Sequence, residues 1–175
     1  QWVTSRSPAD LLRDGPEAAG SVPCCLPPDP EIGGLLISDP PGRKIQLDVI
    51  FPIVHGGHGE DGTLQGVLEL AGLPYVGAGV LASSVGMDKD LMKRVFGDAG
   101  LPVVRSLTLL RTEWETARGK CLESMNLGFA CFVKPANTGS SVGITKARSM
   151  MDLGRGLDTA FRYDPKAVIE EGVDA

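Results

Sequence analysis

The sequence has few aromatic residues, few histidines and no long apolar run. Aromatic side chains make up 5% of the 175 residues, and there are 2 histidines. No stretch of about 18 consecutive apolar residues occurs, so the sequence predicts no membrane-spanning helix. Residues 1–6 also lack the basic-then-apolar order of a secretory signal peptide. We therefore expect a cytoplasmic protein without a membrane partner.

The charge balance argues against nucleic acid as a partner. The chain has 17 Lys and Arg against 22 Asp and Glu, which gives a formal net charge of -5 at pH 7. Proteins that bind nucleic acid gain much of their affinity by neutralising phosphates with basic residues. Because the chain has no net basic field, a small-molecule partner is favoured.

The four cysteines match no metal or disulfide pattern. They are Cys24, Cys25, Cys121 and Cys131. Adjacent cysteines rarely bridge each other, and none of the four belongs to a Cys-x-x-Cys pair. We predict reduced thiols. The alternative is a zinc site that includes His55 and His58, but their spacing matches no common ligand pattern.

The composition is that of a globular protein with one large or two small domains, since 42% of the residues are hydrophobic and 22% are charged. Residues 15–42 are rich in proline and glycine and predict loops around one short strand at 35–38. Strands and helices alternate from residue 48 onward, which predicts an α/β protein. We place a domain change near residue 84, with domains at 1–83 and 84–175.

The apolar run at 48–54 predicts a buried parallel strand. Apolar residues at helical spacing predict a helix over 64–71 that ends at Gly72. The remaining predicted elements are a helix capped by Asp88, a strand at 103–110, a helix from a capping box at Thr112 to near Gly128, strands at 130–133 and 144–146, a helix from Ser149 to about Phe161, and a strand at 167–170.

Residues 54–63 combine four glycines with two histidines and two carboxylates, between a predicted strand and a predicted helix. Ligands of open α/β sheets bind at this position, beside free N–H groups and the positive end of the helix. His55 and Glu60 are therefore candidate ligand-binding residues. The alternative is a tight crossover in which His55 only packs.

Lys134 ends a predicted strand and precedes a loop of glycine and hydroxyl residues at 137–143. An ammonium group followed by N–H and O–H donors can surround a phosphate. The order is not that of a Walker A loop, and protein kinases place their glycine-rich loop before the lysine. An exposed hairpin is the alternative.

Two further segments are ambiguous from the residues alone. The charged run at 87–94 opens a helix and is typical of a solvated face. The segment 168–174 is an apolar strand that runs into carboxylates. Its backbone could bind the edge of an adenine, or it could simply leave the core.

Five segments, taken in order and at similar spacing, resemble the D-alanine:D-alanine ligase family. They are 55–63, 65–79, Met87-Asp88-Lys89, Phe132-Val133-Lys134-Pro135 and 139–143. The resemblance is dense from residue 48 to residue 174. It implies part of a three-layer α/β amino-terminal domain followed by the central α+β lobe of an ATP-grasp fold. The implied reaction joins two D-alanines, with ATP, for peptidoglycan synthesis.

The resemblance also implies roles for individual residues. Lys89 and Lys134 would contact the phosphates of ATP, and Glu170 would accept from the adenine amino group. His55 and Glu60 would serve the first D-alanine. The loop residues closing over ATP would be Gly139, Ser140, Ser141, Val142 and Gly143, with Ser140 also acting in catalysis and substrate positioning. The backbones of Glu171 and Val173 would lie at the adenine edge.

Two departures from the family pattern accompany the resemblance. The family's amino-terminal glycine-rich segment, with its substrate-binding glutamate, is not found before residue 48. The Mg²⁺ ligands are expected beyond Ala175, so we expect an inactive fragment of a homodimeric enzyme. A D-lactate or D-serine ligase, another ATP-grasp ligase, a kinase-like phosphotransferase and a non-catalytic nucleotide-binding module are the alternatives.

Overall fold

The computed structural model describes residues 2–4, 9, 13, 20–38, 41–123 and 126–173. The strands are β1 Trp2–Thr4, β2 Val22–Cys25, β3 Gly34–Ile37, β4 Arg43–Gln46, β5 Ser106–Leu110, β6 Cys131–Pro135, β7 Thr145–Ala147 and β8 Lys166–Glu171. The helices are α1 Thr63–Leu70, α2 Val80–Met87, α3 Lys89–Asp98, α4 Arg111–Glu123 and α5 Met150–Ala160. No helix in these ranges has the length and apolarity of a membrane span.

Contacts divide the chain into two compact units. The first comprises Gln1–Ile53 with Thr63–Ala78, and the second comprises Val54–Gly62 with Gly79–Ala175. The domain boundary that the sequence suggests near residue 84 stays a prediction. Asp174, the last residue of the family resemblance, lies outside the described residues, as do residues 124 and 125 of the region where a helix was expected to end near Gly128.

The first unit is built on an antiparallel sheet in the order β1-β2-β3-β4. Leu26, Leu68, Ala71 and Leu73 form its core. Helix α1 has the apolar spacing that the sequence indicates, and Gly72, with φ of 64°, follows its end. The loop interpretation of 15–42 was incomplete, because β2 also lies there. Short strands containing proline or glycine form through pairing with their neighbours, which local composition does not reveal.

The buried strand expected at 48–54 was wrong. Ile50 forms an isolated parallel bridge with Tyr75, while Val49, Phe51 and Ile53 are 58%, 68% and 78% exposed. A buried parallel strand needs neighbours along its edges and cover on both faces. Within the described residues, only the segment around Tyr75 pairs with this run.

The second unit contains an antiparallel sheet in the order β5-β8-β6-β7. Strand β8 is central, and its residues Ala167, Val168 and Ile169 are fully buried. Helix α5 packs against β6 and β7. A Cβ on Gly156 of this helix would lie 3.0 Å from Val133 Cγ2, so the small residue allows a close approach. This core fixes the strand ends that carry the site.

Two of the three expected helix caps are confirmed. Asp88 Oδ1 accepts from the N–H groups of Asp90 and Leu91 at the start of α3. Ser149 Oγ accepts from Asp152 at the start of α5. The capping box placed at Thr112 was wrong, because α4 begins directly after β5 and Glu113 Oε2 accepts from the Leu110 N–H at 2.8 Å.

All four cysteines are free thiols, as expected. Cys24, Cys121 and Cys131 are buried, while Cys25 is exposed. Burial raises the pKa of Cys24 and of Cys131, which keeps both groups protonated at neutral pH.

Candidate functional site

The loop 137–143 is fixed at its first residue by a buried carboxylate. Asp164, which is 3% exposed, accepts from the Asn137 N–H at 2.6 Å through Oδ2. Its other oxygen, Oδ1, accepts from the Lys166 N–H at 2.8 Å. The start of the loop is therefore tied to the start of the central strand β8.

The same loop has an unusual backbone. Ser140 and Ser141 have φ of 50° and 58°, and Gly143 has φ of 73°. The left-handed region costs a non-glycine residue about 1–2 kcal/mol, so two adjacent serines there are an unfavourable arrangement. Such arrangements cluster at ligand-binding sites, where the surroundings hold them. Both serines are exposed.

Two lysines from different elements lie near each other beside this loop. Lys89 is the first residue of α3, and its Nζ donates to Thr138 O at 2.6 Å and to Ala136 O at 3.3 Å. Burial, and then the charge of Lys134, lower the pKa of Lys89. Two neighbouring ammonium groups at a loop of N–H and O–H donors can form a site for an anion.

Glu170 lies beside these lysines at the end of β8. Lys134 Nζ pairs with its Oε2, and Lys93 Nζ lies 3.2 Å from its Oε1. Burial acts to raise the pKa of Glu170, but the hydrogen bonds and charges of Lys134 and Lys93 outweigh it, so the pKa lies below its usual value. The carboxylate is therefore ionised and can accept a hydrogen bond.

The start of α3 is held against β8 by a second set of charges. Lys166 Nζ lies 2.5 Å from Asp88 Oδ2 and 3.6 Å from Asp90 Oδ2. Burial acts to raise the pKa of Asp90, but hydrogen bonds from Arg94 and Thr108 outweigh it and lower the pKa. These contacts hold the helix that carries Lys89.

The glycine-rich segment 54–62 lies beside the 137–143 loop in the same unit. Glu60 Oε2 accepts from the Gly56 N–H at 2.5 Å. A Cβ on Gly139 would lie 3.6 Å from Gly56 Cα and 3.9 Å from Glu60 Oε2. The structure thus brings together the two glycine-rich segments that the sequence singled out. His55 is exposed.

The end of β8 leaves limited backbone groups for a ligand. The Glu171 N–H donates to Arg105 O at 3.0 Å, and the Gly172 N–H donates to Ala130 O at 2.9 Å. The N–H groups of Glu171 and Gly172 are therefore already paired with other backbone carbonyls. Val173 is 62% exposed at the end of the described strand segment.

Two family models match the chain. One, described as the D-ala D-ala ligase N-terminus, matches residues 2–78. The other, described as the D-ala D-ala ligase C-terminus, matches residues 95–175. The chain belongs to the D-alanine–D-alanine ligase family.

Relatives in this ligase family match most of the chain. The D-alanine–D-alanine ligase of Heliobacterium modesticaldum is 46% identical over 176 residues, which cover 99% of this chain and 48% of the relative. That of Bacillus velezensis is 52% identical over 135 residues, which cover 76% of this chain and 38% of the relative. The chain spans about half the length of the curated relatives that it matches.

Solved structures of ligases confirm the expected fold class. The VanG D-Ala:D-Ser ligase from Enterococcus faecalis superposes with a TM-score of 0.88 at 34% identity, covering 100% of this chain and 50% of that chain. The D-alanine-D-alanine ligase from Coxiella burnetii superposes with a TM-score of 0.77 at 35% identity, covering 97% and 48%. The chain thus has the expected fold class, which is part of an α/β amino-terminal domain followed by the central lobe of an ATP-grasp fold.

The candidate site contains two residues that sequence reasoning did not single out. Lys93 lay in a charged run interpreted as a solvated face, although it follows Lys89 by four residues and so shares its side of the helix. Asp164 gave no local signal, because its role depends on the Asn137 N–H reaching it across the fold. Within the described ranges, no group of three or more His, Cys, Asp or Glu can hold a metal ion.

Proposed function

We propose that the protein carrying this sequence is an ATP-dependent ligase that joins two D-alanines for peptidoglycan precursor synthesis. The proposal rests on Lys89, which contacts the 137–143 loop and lies near Lys134, because this arrangement offers an anion two positive charges and a set of loop donors. The names of the relatives, D-alanine–D-alanine ligases, support the choice of substrate.

ATP is the anion in this proposal. Lys89 and Lys134 bind its phosphates, and the hydroxyl and N–H groups of residues 139–143 close over them. The ionised Glu170 accepts from the 6-amino group of adenine. The Glu171 carbonyl and the Val173 backbone lie along the adenine edge.

D-Alanine binds on the side of the loop where segment 54–62 lies. His55 contacts the first D-alanine, Glu60 supports that pocket, and Ser140 links substrate and loop. A carboxylate oxygen of the first D-alanine attacks the γ-phosphorus of ATP, the bond to the β-γ bridging oxygen breaks, and ADP leaves. The amine of the second D-alanine then attacks the acyl phosphate, and phosphate leaves as the peptide bond forms.

The residues of this chain act on charge and water in that sequence. The two lysines neutralise charge that develops on the transferred phosphoryl group, which is where preorganised cations accelerate a reaction most. The loop excludes water from the acyl phosphate. The Mg²⁺ ligands belong, in this proposal, to residues outside the described ones, among which no group of three or more His, Cys, Asp or Glu could hold a metal ion.

An isotope experiment tests the acyl phosphate. D-Alanine labelled with ¹⁸O in its carboxylate is incubated with ATP and the whole protein that carries this sequence. The proposal expects ¹⁸O in the released phosphate, detected by mass spectrometry, together with D-alanyl-D-alanine. Dipeptide formation without label in phosphate contradicts the intermediate. The absence of both labelled phosphate and dipeptide contradicts the ligase function.

A second candidate differs only in the second substrate. The structural likeness to a D-Ala:D-Ser ligase favours testing it. Competition between D-alanine and D-serine in one assay gives the ratio of the two products, and the main proposal expects D-alanyl-D-alanine to predominate.

A cytoplasmic location and a homodimer complete the proposal, and sedimentation of the purified protein tests the dimer.

A further inference from the structure

Both oxygens of the Glu170 carboxylate are held by different lysines. Lys134 pairs with Oε2 and Lys93 with Oε1, while the Glu170 side chain is 12% exposed. A buried carboxylate without a cationic partner takes up a proton or turns toward solvent. The state of Glu170 therefore depends on which of the two lysines stays in place.

The two lysines differ in how firmly they are fixed. Lys93 Nζ also donates to Val104 O at 3.1 Å, and its side chain is 12% exposed. Lys134 is 23% exposed, and its ammonium lies over the Phe132 ring at 6.0 Å from the centroid. Lys93 contacts a backbone carbonyl in addition to the carboxylate, and its side chain is less exposed than that of Lys134. Lys93 is therefore the more firmly fixed of the two lysines.

Under the proposed function, Lys134 also serves the phosphates. An ammonium group that turns to a phosphate leaves Oε2 of Glu170. We infer that Lys93 is a positioning residue for Glu170: its ammonium group keeps the carboxylate ionised and oriented toward the 6-amino group of adenine when Lys134 engages phosphate. This inference rests on the proposed function.

The nucleotide preference of the whole protein tests the inference. ITP carries a 6-oxo group where ATP has a 6-amino group, so an ionised acceptor at Glu170 favours ATP over ITP. Lys93→Met is expected to reduce the ratio of kcat/KM for ATP to that for ITP by roughly tenfold, the effect of losing one charge-assisted contact. Lys93→Arg keeps the charge and is expected to restore most of the ratio.

Three comparisons separate positioning from structure. Lys120→Met, at an exposed lysine of α4, is expected to leave the ratio unchanged. In a Glu170→Gln background, Lys93→Met is expected to have no further effect on the ratio. A purely structural Lys93 would lower the melting temperature of Lys93→Met and leave the ratio intact, which overturns the inference.

Glu170→Gln alone distinguishes the inference from the proposal beneath it. If this variant loses the ATP preference while Lys93→Met retains it, the role of Lys93 is wrong and the adenine contact stands. If Glu170→Gln retains the ATP preference, both the adenine contact and the inference are wrong. If Lys93→Met does not fold, Lys93→Gln replaces it in the test. A reduced ratio of kcat/KM for ATP to that for ITP in Lys93→Gln, with a wild-type ratio in Lys93→Arg, supports the inference in the same way.

Discussion

At the residue scale, two ammonium groups lie near each other beside the 137–143 loop. Lys89 is half-buried beside Lys134, and burial followed by that charge lowers its pKa. One carboxylate, Glu170, is shared between Lys134 and Lys93. A phosphate group at the loop would offset the burial of Lys89 and the repulsion between the two ammonium groups. The burial of Lys89 and its proximity to Lys134 support the proposed anion site, while the charges of Glu170, Asp164 and Asp88 act in the opposite direction on the pKa of Lys89.

Lys134→Ala is expected to raise the KM for ATP and to lower kcat in the whole protein. Ground state and transition state both lose a cation near phosphate. The loss of one charge-assisted contact corresponds to about 1.5–3 kcal/mol, or roughly tenfold to a hundredfold in kcat/KM. Steady-state kinetics with varied ATP measure both constants.

Lys146→Ala is a matched control for that variant. Lys146 is exposed and also lies over the Phe132 ring, at 5.3 Å from the centroid, but it pairs with no carboxylate among the described residues. Its kinetics should equal those of the wild type. Equal kinetics for Lys134→Ala as well, in a folded protein, would sink the phosphate role.

His55→Gln is expected to raise the KM for D-alanine far more than the KM for ATP. The residue is exposed in segment 54–62, so the lost interaction lies on the amino-acid side rather than in a core. The melting temperature should therefore change little. Kinetics with each substrate varied in turn, and a thermal melt of the same preparation, measure the three quantities.

His58→Asn tests the neighbouring histidine in the same segment. His58 has φ of 66°, which asparagine tolerates better than most residues. Its backbone N–H donates to Asp61 Oδ2, a contact that the substitution keeps. Wild-type constants are expected for it. A lower melting temperature with unchanged D-alanine affinity in His55→Gln would refute the binding role of His55.

The site residues predicted from the sequence share one property: each lies in a short segment whose local sequence suggests its role. Lys89, Lys134 and Gly143 occur in short segments with a family resemblance. Asp164 and Lys93 could not be found in this way. Asp164 acts on an amide 27 positions earlier in the chain, and Lys93 acts on a strand that local composition does not connect to its helix.

At the element scale, helix ends were predictable where a capping side chain precedes an apolar period. Asp88 and Ser149 cap as expected, because a cap depends on neighbours two or three residues away. The strand at 48–54 failed for the opposite reason. An apolar run alone does not reveal whether other strands are present to cover it. Phe51, in this run, is exposed in the structure.

Gly143→Ala is expected to destabilise the second unit and to weaken ATP binding. The residue has φ of 73°, and a Cβ there would lie 2.6 Å from Tyr163 Cδ2 and 2.8 Å from Pro135 Cγ. The backbone strain corresponds to about 1–3 kcal/mol, with crowding in addition. Thermal melts should show a loss of several degrees, and the KM for ATP should rise because the loop shifts.

Gly119→Ala provides the comparison for this loop variant. A Cβ at Gly119, in helix α4, would meet nothing within 4 Å. Alanine is favoured over glycine inside a helix by up to about 1 kcal/mol, so this variant should be as stable as the wild type or slightly more stable. If Gly143→Ala behaves like Gly119→Ala, the loop does not need its left-handed glycine.

At the scale of the whole molecule, the alternation of elements and the family resemblance were enough to predict the fold class, but they did not predict how the strands pair. Both described sheets are antiparallel, although the apolar run at 48–54 predicted a parallel strand. Alternation along the chain records the order of elements and not the direction in which neighbours run. The direction depends on contacts such as β6 with β8, which join residues 131–135 to residues 167–171.

The stability of the second unit should depend on pH through the carboxylates of Glu170 and Asp90, which pair with basic side chains. The pKa values of Glu170 and Asp90 lie below their usual values, because hydrogen bonds and positive charges outweigh burial. A group whose pKa is depressed by folding binds fewer protons in the folded state. Its stabilising contribution is present above the unfolded pKa and is lost as the pH falls through the folded pKa.

The melting temperature of the second unit is therefore expected to fall as the pH is lowered below about 4.5, near the unfolded carboxylate values. Trp114, which is 2% exposed, reports this unit by fluorescence once Trp2→Phe removes the other tryptophan of this sequence. Asp90→Asn should melt lower at neutral pH and lose less on acidification, because one titrating contribution is gone. Asp98→Asn, at an exposed residue of the same helix, should keep the full acid-induced decrease. An Asp90→Asn profile parallel to that of the wild type would show that Asp90 contributes no pH-dependent stability.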